Sequence, residues 1–174
     1  MKRLLSILFL SALALGAHAQ KNIPLLDKVE GHRVTFHYTY SLSQKGEPFH
    51  PVTDGDVTVE GNAYKLQGLG MEVISDGTTR WTLDREAKEA VVEKVEKEDI
   101  FTNPALFIAS YKQHMDSIKV NDSGSDYLDV TLTLEDENIM RFVLKNIVYG
   151  PEEGKSDFSV QEKSLPDYLI TDLR

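Results

Sequence analysis

The chain of 174 residues contains no cysteine and only five histidines. The missing cysteines exclude disulfide bonds and thiolate nucleophiles, so the apolar core has to hold the fold unaided. His32, His37, His50 and His114 do not have the spacing of a metal site, and no serine lies in a nucleophile elbow. We therefore expect no catalytic residue, no metal and no cofactor, in a protein that is not an enzyme.

Long apolar runs are absent except at the start of the chain. Leu4 to Leu15 follows the charged pair Lys2 and Arg3, and small residues at Ala17 and Ala19 come after it. The pattern is typical of a secretory signal peptide cleaved before residue 20. The run is too short to span a bilayer comfortably. We expect residues 1–19 to be removed and residues 20–174 to form one exported domain.

Basic residues are scarce, with 19 lysines and arginines against 28 acidic residues. Without Lys2 and Arg3 the basic count falls from 19 to 17, which gives the mature chain a net charge of −11. This excess disfavours nucleic acid as a partner and loose adsorption to an anionic membrane surface. It also favours a soluble exported protein, which we expect to be a monomer.

Apolar and polar residues alternate along much of the chain. The alternation is clearest over 128–134 and 33–42, and it returns in shorter pieces over 57–59, 64–66 and 140–144. A period of two indicates strands with one buried side. The sequence therefore predicts a mainly antiparallel sheet with one apolar face that another element covers.

A hairpin is predicted around Ser75-Asp76-Gly77, which suits a three-residue loop with a bulge. This loop would place Met71 opposite Trp81, and both on one face with Val73 and Leu83. The predicted register would put the single tryptophan on the apolar side of the sheet.

Helical segments are few. Pro104 to about His114 is predicted as a helix with Asn103 as its cap, and Pro24 to Val29 as one or two short turns. Asp84 to Asp99 has strong helix propensity, but Val91 and the residues after it also alternate as in a strand. Sequence alone leaves helix and strand open for this segment.

Four pieces of sequence together resemble the LolA family of periplasmic lipoprotein carriers, chaperones that serve outer-membrane biogenesis. They are Leu26-Asp27-Lys28-Val29, Val73-Ile74-Ser75-Asp76-Gly77 followed by Trp81, Asn103-Pro104-Ala105-Leu106-Phe107-Ile108-Ala109, and Ile170-Thr171-Asp172-Leu173-Arg174. The resemblance favours strand for Asp84 to Asp99. It implies a curved, unclosed antiparallel half-barrel whose helices lie across the mouth as a lid.

The resemblance also implies a function. Acyl chains of lipoproteins would bind the apolar interior in the periplasm, after release by an inner-membrane transporter and before transfer to an outer-membrane acceptor. The helix after Asn103 would be a movable cover, with Phe107→Asp expected to weaken ligand binding more than folding. The expected ligand-binding residues are Phe36, Tyr38, Val57, Tyr64, Leu66, Met71, Val73, Trp81, Leu106, Phe107, Ile108 and Leu132.

Three departures from the family leave an alternative open. The first helix is short, Lys65 stands near the place where several members carry an arginine, and the interval from Leu128 to Arg174 is about one hairpin shorter than expected. The alternative is an exported module of this kind that binds another lipid or a protein partner without carrying lipoproteins.

Overall fold

The computed structural model describes residues 22–44, 46–68, 70–96, 104–134 and 137–174. The predicted signal peptide and the predicted cap Asn103 lie outside these residues.

The described residues form ten strands in a single sheet that is not closed into a barrel. The strand order is β10-β6-β5-β4-β3-β2-β1-β9-β8-β7. In chain order the strands are β1 (Arg33–Ser43), β2 (His50–Glu60), β3 (Ala63–Gly68), β4 (Met71–Ser75), β5 (Thr79–Asp84), β6 (Glu89–Lys94), β7 (Ile118–Ser123), β8 (Leu128–Thr133), β9 (Ile139–Gly150) and β10 (Leu169–Asp172). The mainly β, unclosed architecture is confirmed.

The sheet is mainly antiparallel, as the alternation predicts, but it is mixed, which corrects the antiparallel half-barrel that the resemblance implies. β10 pairs with β6 in parallel, Ile170 lying beside Ala90. The other neighbouring strands pair antiparallel. A parallel pair needs a long connection between its strands, and much of the chain separates β6 from β10.

The helices are short. α1 (Pro24–Asp27) has proline in its first turn, which suits the fixed φ of that residue. α2 (Pro104–Ser110) continues into a 3₁₀ turn (Tyr111–His114), so both predicted helical segments are confirmed. Two further 3₁₀ turns, Lys155–Phe158 and Glu162–Ser164, lie in the C-terminal region.

The ambiguous segment after Asp84 contains a turn at residues 85–88 and then strand β6. Pairing with β5 places Ala90 and Val92 in a core, where they are 1% and 0% exposed. Burial of these apolar side chains between neighbouring strands outweighs the helix propensity of the surrounding glutamates and lysines.

Each face of the sheet carries its own hydrophobic cluster. On the first, here called the helix-covered face, α1 and α2 pack against buried residues of β1, β2, β3, β8 and β9. On the second, here called the outer face, Trp81 packs with Ile74, Leu83, Val92 and Leu165. Leu165 belongs to the chain segment between β9 and β10, so this segment and the helices cover opposite faces.

The predicted hairpin register is wrong. Trp81 pairs with Ile74 rather than with Met71, three residues away. Asp76 is the cause, because its Oδ1 accepts hydrogen bonds from the backbone N–H groups of Thr78 and Thr79, both at 2.8 Å, and so extends the loop. An odd shift moves every side chain of a strand to the other face. Trp81 therefore lies on the outer face, away from Val73.

Two glycines allow β2 and β3 to approach closely. A Cβ atom at Gly55 would overlap the carbonyl oxygen of Gln67, and one at Gly68 would overlap the carbonyl oxygen of Asp54. Both obstacles are backbone atoms that cannot move aside independently. Larger residues at these positions would force the two strands apart.

We predict that Gly55→Ala lowers the free energy of unfolding by about 3 kcal/mol, because overpacking against backbone requires the strands to separate. Gly124→Ala is the matched control, since its Cβ would meet Tyr127 only at an ordinary 3.6 Å. Urea unfolding of both variants measures the difference. Equal stabilities would show that the approach of β2 to β3 is not constrained in this way.

Candidate functional site

One row of side chains crosses the helix-covered face from β1 to β6, here called the cross-strand row. Each member pairs with the next across neighbouring strands. Neighbouring strands are about 4.8 Å apart, so the row extends for roughly 24 Å. Its members are Phe36, Val57, Leu66, Val73, Thr82 and Val91.

Burial decreases along the cross-strand row. Phe36 and Val57 are 5% and 1% exposed within the core. Leu66, Val73 and Val91 are half-buried. An apolar surface therefore continues from the packed core towards the part of the sheet near β10.

Helix α2 packs against one end of this surface. It contacts β2 and β3, and Phe107 stacks on Phe142 with ring centroids 5.0 Å apart. Phe142 stacks in turn on Tyr40, at 5.2 Å. Leu106 is half-buried, whereas Phe107 and Ile108 are 5% and 6% exposed. A charge at Phe107 would lie in the core and destabilise the fold by several kcal/mol.

The structure brings most of the predicted ligand-binding residues together on the helix-covered face. Met71 lies at the margin of this face and is 40% exposed. Trp81 lies on the outer face, because the longer hairpin loop turns it there, and half-buried Leu106 of α2 is outside the shared cluster. The residues that share the helix-covered cluster are Phe36, Tyr38, Val57, Tyr64, Leu66, Val73, Phe107, Ile108 and Leu132.

A cavity of about 310 Å³ opens between α1, α2 and the turn that joins β2 to β3. Apolar residues form much of its wall, and charged residues lie among them. Ile108 is the predicted ligand-binding residue that contributes to it. The lining residues are Leu26, Asp27, Val29, Glu30, Gly61, Asn62, Ile108, Ala109, Tyr111 and Lys112.

A polar network connects the two helices at this cavity. The Tyr111 hydroxyl donates a hydrogen bond to Asp27 Oδ1 at 2.6 Å. Lys112 Nζ contacts the same oxygen at 2.7 Å, and Asn22 donates to Asp27 Oδ2 at 2.9 Å. The hydrogen bonds from Lys112, Tyr111 and Asn22 lower the pKa of Asp27 to about 2. The carboxylate therefore stays ionised at neutral pH.

No sequence pattern indicates this network, because Asp27 and Tyr111 are 84 residues apart in the chain. Val91 was also missed as a member of the cross-strand row. The alternation after Val91 was a usable signal for it, but the helix propensity of the same segment obscured that signal.

Buried charges on the outer face were also missed. Glu72 is 3% exposed and contacts Lys65 at 2.7 Å and also Arg85. Burial raises its pKa, but hydrogen bonds from Lys65, Arg85 and Gln67 have the larger combined effect and lower it. Lys65 thus pairs with a structural carboxylate on the face opposite the helices.

The C-terminal segment is attached to the outer face by a second group of charges. Glu60 is 4% exposed and accepts hydrogen bonds from the backbone N–H groups of Glu153 and Gly154, at 3.1 and 2.8 Å. Arg33 contacts Asp157 at 2.8 Å and lies 5.2 Å from the ring centroid of Phe158. These contacts hold the segment that covers Trp81.

No protein-family model matches the sequence, and a comparison with curated proteins finds no match either. Among the residues that the structure describes, none of the helices has the length and apolar character to cross a bilayer. The same part of the chain holds no group of three or more histidine, aspartate or glutamate side chains arranged to bind a metal ion.

We predict that Asp27→Asn lowers the melting temperature at pH 6 but has progressively less effect below pH 4. The pKa of Asp27 is lowered from 3.8 to about 2, so its contribution is complete above the unfolded-state value and is lost as the pH falls through the folded-state value. Asp116→Asn, at an exposed position, is the control. A melting difference that does not change with pH would contradict this role.

We also predict that Leu165→Ala increases iodide quenching of Trp81 fluorescence in the folded protein, because Leu165 is the buried residue of the C-terminal segment that shares the cluster of the indole on the outer face. Leu132→Ala is the matched control, since Leu132 is 3% exposed in the other cluster. Each truncation should lower stability by about 2–5 kcal/mol. Equal quenching in the two variants would show that the indole does not lie in the cluster of the outer face.

Proposed function

We propose that this protein is a periplasmic carrier that binds the acyl chains of lipoproteins on the helix-covered face and delivers them towards the outer membrane. The observation that carries the proposal is the cross-strand row, which leads from a packed core to half-buried apolar residues without a break in register. The resemblance to the LolA family supplies the lipoprotein cargo.

The row suits a ligand without hydrogen-bonding groups. Each methylene removed from water contributes roughly 0.8 kcal/mol, so an apolar surface alone can provide affinity. Part of this gain is offset by the freedom that the chain loses on binding. Half-buried Leu66, Val73 and Val91 can bury further surface against such a chain, whereas Phe36 and Val57 are already covered.

The proposed interior is curved. Neighbouring strands rotate by roughly 20° relative to each other, and strongly twisted sheets of about ten strands curl. The close approach at Gly55 and Gly68 is consistent with a sharp bend between β2 and β3. A curved, helix-covered face would form the half-barrel of the proposed carrier.

In this proposal α1 and α2 form a lid. The cavity between them has a volume of about 310 Å³, at the lower end of the roughly 300–1,000 Å³ of ligand pockets. The Asp27 network is partly solvent-exposed, and exposed ion pairs contribute little to stability. This network is therefore not a strong barrier to opening of the lid; the cost of opening lies in the apolar side chains of α1 and α2 that it would uncover and that a bound acyl chain would cover again.

The proposal also includes export of the protein and transfer of its ligand. The N-terminal segment would direct the chain to the periplasm, with cleavage near Ala19 and Gln20. An inner-membrane lipoprotein-releasing transporter would load the carrier and an outer-membrane acceptor would unload it. No catalytic step is needed, because the acyl chain is only transferred between apolar surfaces.

A second candidate is an exported module that binds another lipid or a protein partner. The observation in its favour is the edge strand β10, in which Leu169 is 68% exposed, while Leu173 directly after it is 63% exposed. An unpaired strand edge can accept a strand from a partner. Loss of partner capture after Leu169→Lys, with unchanged acyl binding, would favour this candidate.

We predict that Val91→Asp weakens binding of a synthetic diacylated lipopeptide at least tenfold, while the circular dichroism spectrum stays that of a β protein. A carboxylate at this half-buried position would remain partly hydrated but would oppose an apolar chain. Fluorescence titration of a dye-labelled lipopeptide measures affinity, and thermal melts measure folding.

Val148→Asp is the matched control, since Val148 is 60% exposed on β9 and pairs with Thr35 of β1 rather than with a member of the row. It should bind as the wild type does. If Val91→Asp proves unstable, Leu66→Ala replaces it, with a smaller loss of affinity expected. Unchanged affinity in a folded row variant would remove the row from the site.

A further inference from the structure

The cavity between α1 and α2 has an acidic rim. Among the residues that line it, Asp27 and Glu30 are negative and Lys112 is positive, which leaves one excess negative charge. Glu30 is exposed and Asp27 is partly exposed. A ligand whose apolar end enters the cavity would therefore meet these groups with its polar end.

Lys112 is already paired with an acid of the rim, which limits its attraction for an anionic ligand. Its Nζ atom lies 2.7 Å from Asp27 Oδ1 and 5.8 Å from the ring centroid of Tyr111. Moving it to a ligand carboxylate would remove the cationic partner from Asp27. The gain of one ion pair would thus be offset by the loss of another.

The inner wall of the cavity is apolar. Leu26 and Val29 from the α1 region are 5% and 7% exposed, and Ile108 from α2 is 6% exposed. The cavity therefore has an apolar wall that accepts a hydrocarbon chain and a rim whose charge acts on the head group. This division matches an amphiphile rather than a wholly apolar molecule.

We propose that this cavity selects amphiphiles with an uncharged or cationic head group over carboxylate amphiphiles of the same chain length. An N-acylated peptide, whose linkage is a neutral amide, belongs to the favoured class, and a free fatty acid belongs to the disfavoured one. The inference rests on the proposed function, because it requires that an apolar chain enters between the two helices.

The experiment compares three amphiphiles with the same chain as competitors of an uncharged fluorescent dye, N-phenyl-1-naphthylamine. The competitors are decanoate, N-decanoyl glycinamide and decyltrimethylammonium, each below its micellar concentration. Decanoate should bind roughly two- to fivefold more weakly than the amide at low salt, a difference typical of one unscreened surface charge. The difference should shrink at high ionic strength.

Variants at Glu30 test whether the charge of the rim causes the difference in affinity between the competitors. Glu30→Gln should reduce the difference in affinity between decanoate and the amide. Glu30→Lys should make decanoate the tighter binder of the two. Glu47→Gln, an exposed acid outside the residues that line the cavity, is the control and should leave the difference unchanged. A melting curve for each variant checks that the fold is retained.

The possible failures are distinguishable. If all three amphiphiles displace the dye with equal strength, or decanoate binds most tightly, the selectivity is absent and this inference alone is overturned. The inference is also overturned if the affinity difference stays the same in Glu30→Gln and Glu30→Lys, because the acidic rim would then not cause that difference. If no amphiphile displaces the dye, no chain enters the cavity and the inference fails, whereas the lipopeptide titration of Val91→Asp decides the proposed function separately.

Discussion

A large sheet that does not close has two faces to bury, and this constraint determines the rest of the structure. In the part of the chain that the structure describes, the ten strands end at the edges β10 and β7, so neither face is enclosed by the sheet itself. The helices cover one face and the segment after β9 covers the other. Cover by separate, short elements leaves part of the apolar surface only half-buried, which is the property that the proposed binding function uses.

The two covers are attached in different ways. Buried Glu60 binds the backbone of the C-terminal segment directly, and removing one partner from a buried charged contact is strongly destabilising. The helices are connected by a network around Asp27 that is open to solvent on one side. Water can replace the partners of exposed groups at little free-energy cost. By these polar contacts, the C-terminal segment is the more firmly attached of the two covers.

Much of the fold could be predicted from the sequence, because period-two alternation in β1, β8 and β9 is a direct record of one-sided burial. The hairpin register could not be predicted, since the Asp76 carboxylate binds two backbone N–H groups and lengthens the loop. That local interaction moved Trp81 out of the candidate site. Contacts between distant segments, such as Asp27 with Tyr111, also leave no local pattern to read.

Photolabelling tests the central claim most directly. A synthetic lipopeptide whose acyl chain carries a diazirine would be bound, illuminated and located by peptide mass spectrometry. If the chain binds the cross-strand row, the labels lie on Leu66, Val73, Val91 and α2, and they are lost when unlabelled lipopeptide competes for the site. Labels concentrated around Trp81 and the C-terminal segment, or spread evenly over both faces, would contradict it.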